Sequence, residues 1–209
     1  MKLNEFYNSL PTGKQSSIYI PYYTEALTTF QGVRVVPSYE FVLELDKKYK
    51  QYFKHIQFPC YFIPIHVNNE CYGFVLKALE KKTPRFYTKN YLPGLELVKP
   101  GQPVVLVEGI KDTYILRAAK IPCVPMLTDT ISEFTFNFFQ KNNCPVIYCP
   151  DNDPIQESNI KNFIKKFQEK GHTFKLNYVK DLGDFFGPDR EKAILAAKEV
   201  ISFYRTLQN

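Results

Sequence analysis

Three short stretches of the sequence each carry two carboxylates, and each stretch follows an apolar run. They are VVLVEGIKD, with Glu108 and Asp112; PDNDP, with Asp151 and Asp153; and KDLGDFF, with Asp181 and Asp184. Crowded carboxylates repel one another and raise each other's pKa values, and a bound divalent cation removes that repulsion. Mg²⁺ prefers oxygen ligands and binds through few carboxylates together with waters and a substrate phosphate. If the three pairs meet in the folded chain, they indicate a magnesium site.

The acids would meet if the apolar runs before them were strands of one sheet. From about residue 103, strand-like runs alternate with helix-like runs, which predicts a mainly parallel α/β sheet with flanking helices. The predicted strands are residues 104–107, 123–127, 145–149 and 174–179. The predicted helices are residues 110–120, residues 131–141, a segment that Ser158 caps and Gly171 ends, and residues 190–207. Because ligands bind outside the carboxyl ends of parallel strands, we expect all three acid pairs on one rim.

Each acid pair alone has a simpler interpretation. Asp-Asn-Asp is typical of an ordinary turn, and Glu108 alone could be a strand-end residue with satisfied hydrogen bonds. The occurrence of three pairs at one predicted edge favours the metal site. The charge balance agrees, because the chain has 21 acidic residues, and without these six the remaining 15 stand against 27 Lys and Arg. An acidic site in a basic surface suits a polyanion held around a metal.

The first hundred residues lack this alternation and predict a small mixed α+β subdomain. Two runs, residues 59–67 and 70–79, predict a β-hairpin with an Asn68-Asn69 turn. Cations and aromatic residues are interleaved from its second strand onward: Lys77, Lys81, Lys82, Arg85 and Lys89, with Phe74, Phe86, Tyr87 and Tyr91. That mixture is typical of grooves for single-stranded nucleic acid, although a solvated hairpin with its aromatic residues in the core is the alternative. The predicted domains are residues 1–100, 101–187 and 188–209.

Composition excludes several classes of protein. The 209 residues contain no long apolar run and no signal-peptide pattern, so we expect a cytoplasmic protein with no membrane span. The five cysteines form no C-x-x-C pair, which argues against a structural zinc site or a disulfide framework. The three histidines have no metal-ligand spacing.

The order of the motifs resembles the Toprim domain shared by bacterial-type primases, type IA and type II topoisomerases and some nucleases. The resemblance covers about residues 103 to 187. Upstream, Pro64-Ile65, Gly73-Phe74 and Pro84-Arg85-Phe86 look like the basic subdomain that precedes Toprim in DnaG-type primases. The match has departures: Thr88 and Lys77 stand where that family has asparagine and arginine, and the family's glycine-rich segment after the DxD acids is absent. With neither a zinc-binding Cys/His quartet nor a large helicase-binding domain, the chain is similar to a minimal, phage-like primase core.

The resemblance implies a DNA primase that synthesises short RNA primers by nucleotidyl transfer with Mg²⁺, for which Mn²⁺ can substitute, and without zinc. It implies that Glu108, Asp151 and Asp153 are catalytic and metal-facing, and that Asp112, Asp181 and Asp184 complete the metal rim. The residues expected to contact nucleotide or nucleic acid are Lys77, Arg85, Lys89, Lys111 and Lys180. The expected partners are single-stranded DNA, ribonucleoside triphosphates, and a replicative helicase or a separate zinc-binding protein.

Two other functions stay open at this point. A Toprim nuclease would use the same acids with water as the nucleophile, but the upstream basic region favours the primase. A non-catalytic replication protein could bind single strands or a helicase, but such a protein gains nothing from six crowded carboxylates. A topoisomerase is disfavoured because it needs a nucleophilic tyrosine on a separate large domain.

Overall fold

Two compact units, Met1–Tyr91 and Leu92–Asn209, each contain a four-stranded sheet. The computed structural model describes residues 1–12, 32–67, 70–78, 85–87, 91–128, 130–153 and 156–208, and for residues 85–87 the backbone alone. The functional division at 1–100, 101–187 and 188–209 stays a prediction, because compactness alone does not say what each part does. Within the described residues, no helix has both the length and the apolar character that crossing a membrane requires.

The first unit is built on an antiparallel sheet. Its strands are β1 (Arg34–Val36), β2 (Cys60–Val67), β3 (Glu70–Ala78) and β4 (Arg85–Tyr87), in that order across the sheet. Among its described residues, the helices are α1 (Leu3–Ser9), α2 (Lys47–Lys50) and two 3₁₀ helices, Tyr39–Val42 and Gln51–Phe53. The predicted hairpin is confirmed, since β2 and β3 pair in antiparallel register. Its Asn68-Asn69 turn lies outside the described residues.

Aromatic rings form the core of the first unit. The ring centroid of Phe74 on β3 lies 5.0 Å from that of Phe62 and 5.5 Å from that of Phe53, and Phe6 of α1 lies 5.9 Å from Phe53. All four side chains are fully buried. Tilted and edge-on aromatic pairs stabilise a core beyond their burial of apolar area. The interleaving of Phe74 with cations predicted that its ring stacks on bases. That prediction is wrong, because the Phe74 side chain faces the core.

The second unit contains the predicted parallel sheet. Its strands are β5 (Val104–Val107), β6 (Cys123–Pro125), β7 (Val146–Cys149) and β8 (Gly171–Thr173), in the order β6-β5-β7-β8. All three pairings are parallel. The helices in the described part of this unit are α3 (Thr113–Ala118), α4 (Glu133–Lys141), α5 (Gln156–Phe167), α6 (Arg190–Thr206) and three 3₁₀ helices, Leu95–Leu97, Gln168–Lys170 and Leu182–Phe186.

Helices cover both faces of this sheet. Ile147 and Cys149 of β7 belong to a buried cluster with Ala193 and Ala197 of α6. Tyr148, between them in the chain, instead stacks on Phe163 of α5 with ring centroids 5.1 Å apart. Successive strand residues point to opposite faces, so β7 is buried on both sides. That double burial explains why its sequence is an uninterrupted apolar run.

The predicted strand at residues 174–179 is wrong. The fourth strand is β8, Gly171–Thr173, and it begins at the glycine that was expected only to end a helix. Leu176 and Val179 in the apolar run are buried in the core without belonging to the sheet. The predicted cap is also wrong, because α5 begins at Gln156 and Ser158 lies inside its first turn. Asp181 and Asp184 therefore follow an irregular segment instead of a strand.

Candidate active site

Glu108 and Asp151 lie beside each other at the carboxyl ends of two neighbouring parallel strands. Val107, the last residue of β5, is in register with Cys149, the last residue of β7. Each acid follows its strand within two residues, and the backbone N–H of Asp151 donates to Glu108 Oε1 at 3.3 Å. The sheet thus brings together acids that are 43 residues apart in the chain.

Glu108 Oε1 also accepts a hydrogen bond from inside the sheet. The Tyr148 hydroxyl lies 3.1 Å from this oxygen and 3.3 Å from Gln156 Oε1. Burial, followed by the charge of Glu108, raises the pKa of Tyr148 far above its ordinary range, so the phenol keeps its proton. No motif in the sequence identified Tyr148 or Gln156. The available signal was a hydroxyl inside an apolar strand, three residues before Asp151.

Asp112 connects the loop after β5 to the 3₁₀ helix Leu182–Phe186. Its Oδ2 accepts from the backbone N–H of Gly109 at 2.7 Å, and its Oδ1 accepts from that of Gly183 at 2.8 Å. A Cβ atom on Gly183 would lie 2.9 Å from Asp112 Oδ1 and 2.9 Å from Asp181 Oδ1. A side chain at position 183 would therefore force at least one of these two carboxylates to move.

The third acid pair reaches the same region through the backbone. Lys180 O accepts from the N–H of Asn152, between the DxD acids, at 2.6 Å. The N–H of Lys180 donates to Asp184 Oδ2 at 3.0 Å. The segment at 180–184 is thus hydrogen-bonded to the loop after β7. This hydrogen bond, and not the strand that the sequence predicted, holds the segment in this region.

Burial and crowding raise the pKa values of three of the acids. Burial, followed by the charges of Glu108 and Asp181, raises the pKa of Asp151 to about 7. Burial, followed by the charges of Asp181 and Asp151, raises the pKa of Asp112 to about 8. Burial and then the charge of Asp184 raise the pKa of Asp181. Carboxylates from three segments are therefore close enough to oppose one another's ionisation.

This donor set suits a hard divalent cation. In the part of the chain that the structure describes, no three His, Cys, Asp or Glu side chains form a ready-made metal cage. Mg²⁺ needs no such cage, because it usually keeps several waters and takes one or two carboxylates together with substrate phosphates. A cation between Glu108 and Asp151 would also relieve the repulsion that raises the pKa of Asp151. The residues present therefore fit Mg²⁺.

The predicted basic residues fall into two groups. Lys111 and Lys180 lie among the acids, and the charge of Lys180 lowers the pKa values of Asp151 and Asp181 against the effect of burial. Lys77 is half-buried on β3, opposite Tyr61 of β2. Arg85 begins β4, and Lys89 lies outside the described residues. Contacts of all five with nucleotide or nucleic acid stay predictions.

Solved structures that match this architecture include DNA primase domains. The RNA polymerase domain of Mycobacterium tuberculosis primase DnaG is 16% identical, with a TM-score of 0.65 over 92% of this chain and 80% of that one. The chain has the fold of a DnaG-type primase catalytic core. The DnaG primase catalytic domain bound to single-stranded DNA matches at 14% identity and a TM-score of 0.62, over 94% of this chain and 76% of that one.

The primase fold also occurs in a phage protein that resembles this chain. The primase fragment of the bacteriophage T7 primase-helicase protein is 13% identical, with a TM-score of 0.59 over 84% of this chain and 70% of that one. No family model matches the sequence, and no curated protein matches it. The predicted fold class, a mainly parallel sheet with flanking helices preceded by a small mixed subdomain, is confirmed.

Proposed function

We propose that this chain is the catalytic core of a DNA primase, which joins ribonucleotides into short RNA primers on single-stranded DNA. Fold alone does not assign a function, so the proposal depends on the site. The observation that carries it is the hydrogen bond from Asp151 N–H to Glu108 Oε1. This contact places the Asp151 backbone beside the Glu108 carboxylate, at the ends of the two central strands of a primase fold, and the charge of Glu108 raises the pKa of Asp151.

Six acids have two kinds of role in this proposal. Glu108, Asp151 and Asp153 hold Mg²⁺, or Mn²⁺ in its place, and Asp112, Asp181 and Asp184 complete the rim directly or through waters. When bound, the metal neutralises charge on the nucleoside triphosphate and lowers the pKa of the attacking 3′-hydroxyl. The chain supplies the negative charge that attracts the cation. Asp151 can take part only after it loses its proton, which a pKa of about 7 allows near neutral pH.

The basic residues bind the polyanionic substrates in this proposal. Lys111 and Lys180 lie beside the acids, where they contact triphosphate or offset local negative charge. Lys77, Arg85 and Lys89 of the first unit contact template or nucleotide phosphates. The partners are single-stranded DNA and ribonucleoside triphosphates, together with a replicative helicase or a separate zinc-binding protein.

A primer-synthesis assay tests the proposal. The whole chain is incubated with single-stranded DNA, ribonucleotides and Mg²⁺ or Mn²⁺, and RNA products are separated by length. We expect short RNA from the wild type and its loss in Asp151→Ala and Asp153→Ala. The matched control is Glu169→Gln, since Glu169 is an exposed acid just before β8, at the amino ends of the strands.

The same assay separates the other functions. Shortened DNA that requires the same acids would assign a Toprim nuclease. Single-strand binding without products, unchanged in Asp151→Ala and Asp153→Ala, would assign a non-catalytic binding protein. Either result would overturn the primase proposal.

A further inference from the structure

One oxygen of Glu108 receives two hydrogen-bond donors from fixed parts of the second unit. The Tyr148 hydroxyl lies 3.1 Å from Oε1, and the Asp151 backbone N–H lies 3.3 Å from the same atom. Oε2 takes neither of these bonds. Because both of these donors bind the same oxygen, they restrain rotation of the Glu108 carboxylate about its Cγ–Cδ bond.

Tyr148 is itself held rigidly. Its side chain is 1% exposed and its ring stacks on Phe163, which packs in turn on Phe167 with ring centroids 4.7 Å apart. The hydroxyl faces two acceptors, Glu108 Oε1 and Gln156 Oε1. Asn159 Nδ2 donates to Gln156 Oε1 at 2.8 Å, which fixes that oxygen as an acceptor. With one proton to share, the phenol donates preferentially to the charged carboxylate, because charge-assisted hydrogen bonds are the stronger ones.

We propose that Tyr148 is a positioning residue for Glu108, and that its hydroxyl holds the Glu108 carboxylate in the orientation that receives the divalent cation. The inference rests on the proposed role of Glu108 as a metal-facing acid, and it adds a residue that no motif in the sequence identified. Hydrogen bonds from outside the ligand set orient ligands, and their loss typically costs ten- to a hundredfold in metal affinity or activity.

The chain offers a matched pair of substitutions. Tyr148→Phe removes the hydroxyl and keeps the buried ring. Tyr204→Phe makes the same change in α6, where Tyr204 is 2% exposed and its hydroxyl accepts from Gln208 Nε2. Tyr204 belongs to the cluster that contains Ile147 and Cys149, on the sheet face opposite Tyr148. Both variants lose one buried hydroxyl, and only one of these hydroxyls contacts an acid of the site.

The test measures Mn²⁺ affinity by calorimetric titration of the whole chain without nucleotide. We expect Tyr148→Phe to weaken binding about tenfold, with the unfolding temperature of the metal-free protein changed no more than in Tyr204→Phe, which binds Mn²⁺ as the wild type does. In primer synthesis, the Mg²⁺ concentration for half-maximal rate should rise while the KM for ribonucleotides stays constant.

Several results would overturn the inference. They are wild-type Mn²⁺ affinity in Tyr148→Phe, equal weakening in both variants, a loss of binding that follows a loss of folding, and a wild-type chain that binds no Mn²⁺. The proposed function is tested separately by the RNA products. A chain that makes no primers but loses Mn²⁺ affinity on Tyr148→Phe would refute the primase proposal and support the role of Tyr148.

Discussion

The backbone N–H of Gly183 donates to Asp112 Oδ1 at 2.8 Å, across 71 residues of sequence. The other carboxylate oxygen of Asp112 accepts from Gly109 N–H at 2.7 Å, and the side chain is 6% exposed. Asp112 therefore joins the loop after β5 to the 3₁₀ helix that carries Asp184. This bridging role exists in the metal-free chain, independently of any part that Asp112 has in metal binding.

Asp112→Asn should destabilise the metal-free protein at low pH and stabilise it at high pH. An amide accepts through one atom only, so one buried backbone N–H loses its acceptor, at a cost of about 1–3 kcal/mol. The pKa of Asp112 is raised to about 8, so the folded wild type retains a proton that the unfolded chain releases near pH 4. Wild-type stability therefore falls as pH rises from about 4 to about 8, and the asparagine variant lacks this loss.

Urea unfolding of both proteins at pH 5, 7 and 9, with a metal chelator present, measures the effect. The wild type should be the more stable protein at pH 5, and the difference in free energy of unfolding should shrink and then change sign towards pH 9. A difference that stays constant across this range would show that Asp112 does not titrate in the folded chain as described.

Mg²⁺ should stabilise the protein, and more at pH 8 than at pH 6. Below its pKa of about 7, Asp151 carries a proton that the cation must displace, whereas at pH 8 it is mostly ionised. A ligand at ten times its Kd adds about 1.4 kcal/mol to the free energy of unfolding. Thermal unfolding with and without Mg²⁺ at the two pH values measures the change.

Asp151→Asn and Glu169→Gln are the matched variants for this experiment. Asp151→Asn should lose most of the Mg²⁺ effect and, without metal at pH 8, should be at least as stable as the wild type because repulsion from Glu108 is removed. Glu169→Gln should behave as the wild type does. Equal stabilisation by Mg²⁺ at both pH values, or in Asp151→Asn, would contradict a cation bound between these acids.

Arg117→Ala should destabilise the second unit by about 2–4 kcal/mol, because it removes a buried hydrogen-bonding side chain. Arg117 is 8% exposed, and its guanidinium donates to Cys123 O and Pro93 O, with Nη2 at 3.0 Å from each oxygen. The substitution leaves a cavity and two carbonyl groups without these donors. The control is Arg205→Ala, since Arg205 is exposed in the last turn of α6, where such changes usually stay within about 0.5 kcal/mol. Equal denaturation midpoints for the two variants would refute this role of Arg117.

The sequence predicted the acid site best where regular sheet geometry positions the residues. VVLV and VIYC are apolar throughout because both strands are buried on both faces, and parallel pairing then places Glu108 and Asp151 at one edge. The segment before Asp181 misled the prediction, because Leu176 and Val179 are apolar through burial in the core without strand pairing. Apolar pattern reports burial, and it does not separate a short strand from a buried irregular segment.

Side-chain roles inside the strands were the least predictable part. In the sequence, Tyr148 looks like any aromatic residue of a buried strand. Only the fold shows that its hydroxyl contacts Glu108. Phe74 stood among cations in the sequence, where the aromatic face suggested base stacking. Because Phe74 points to the inner face of β3, it packs on Phe62 instead. The pairing register of the hairpin decides this orientation, and the register cannot be read from the composition of the segment.

Phe74→Ala should therefore act on folding of the first unit and not on nucleic-acid contacts directly. Removing a fully buried phenylalanine costs about 3–5 kcal/mol, because the transfer free energy is lost and a cavity remains among Phe53, Phe62 and Tyr52. The control is Phe41→Ala, since Phe41 is 46% exposed and its loss leaves the core intact. Hydrogen exchange of the amides in β2 and β3, read at several denaturant concentrations, measures the change. Strong loss of protection in Phe74→Ala alone is expected. Weakened binding of single-stranded DNA with unchanged protection would instead assign Phe74 to base stacking, and would contradict the core position that the structure gives it.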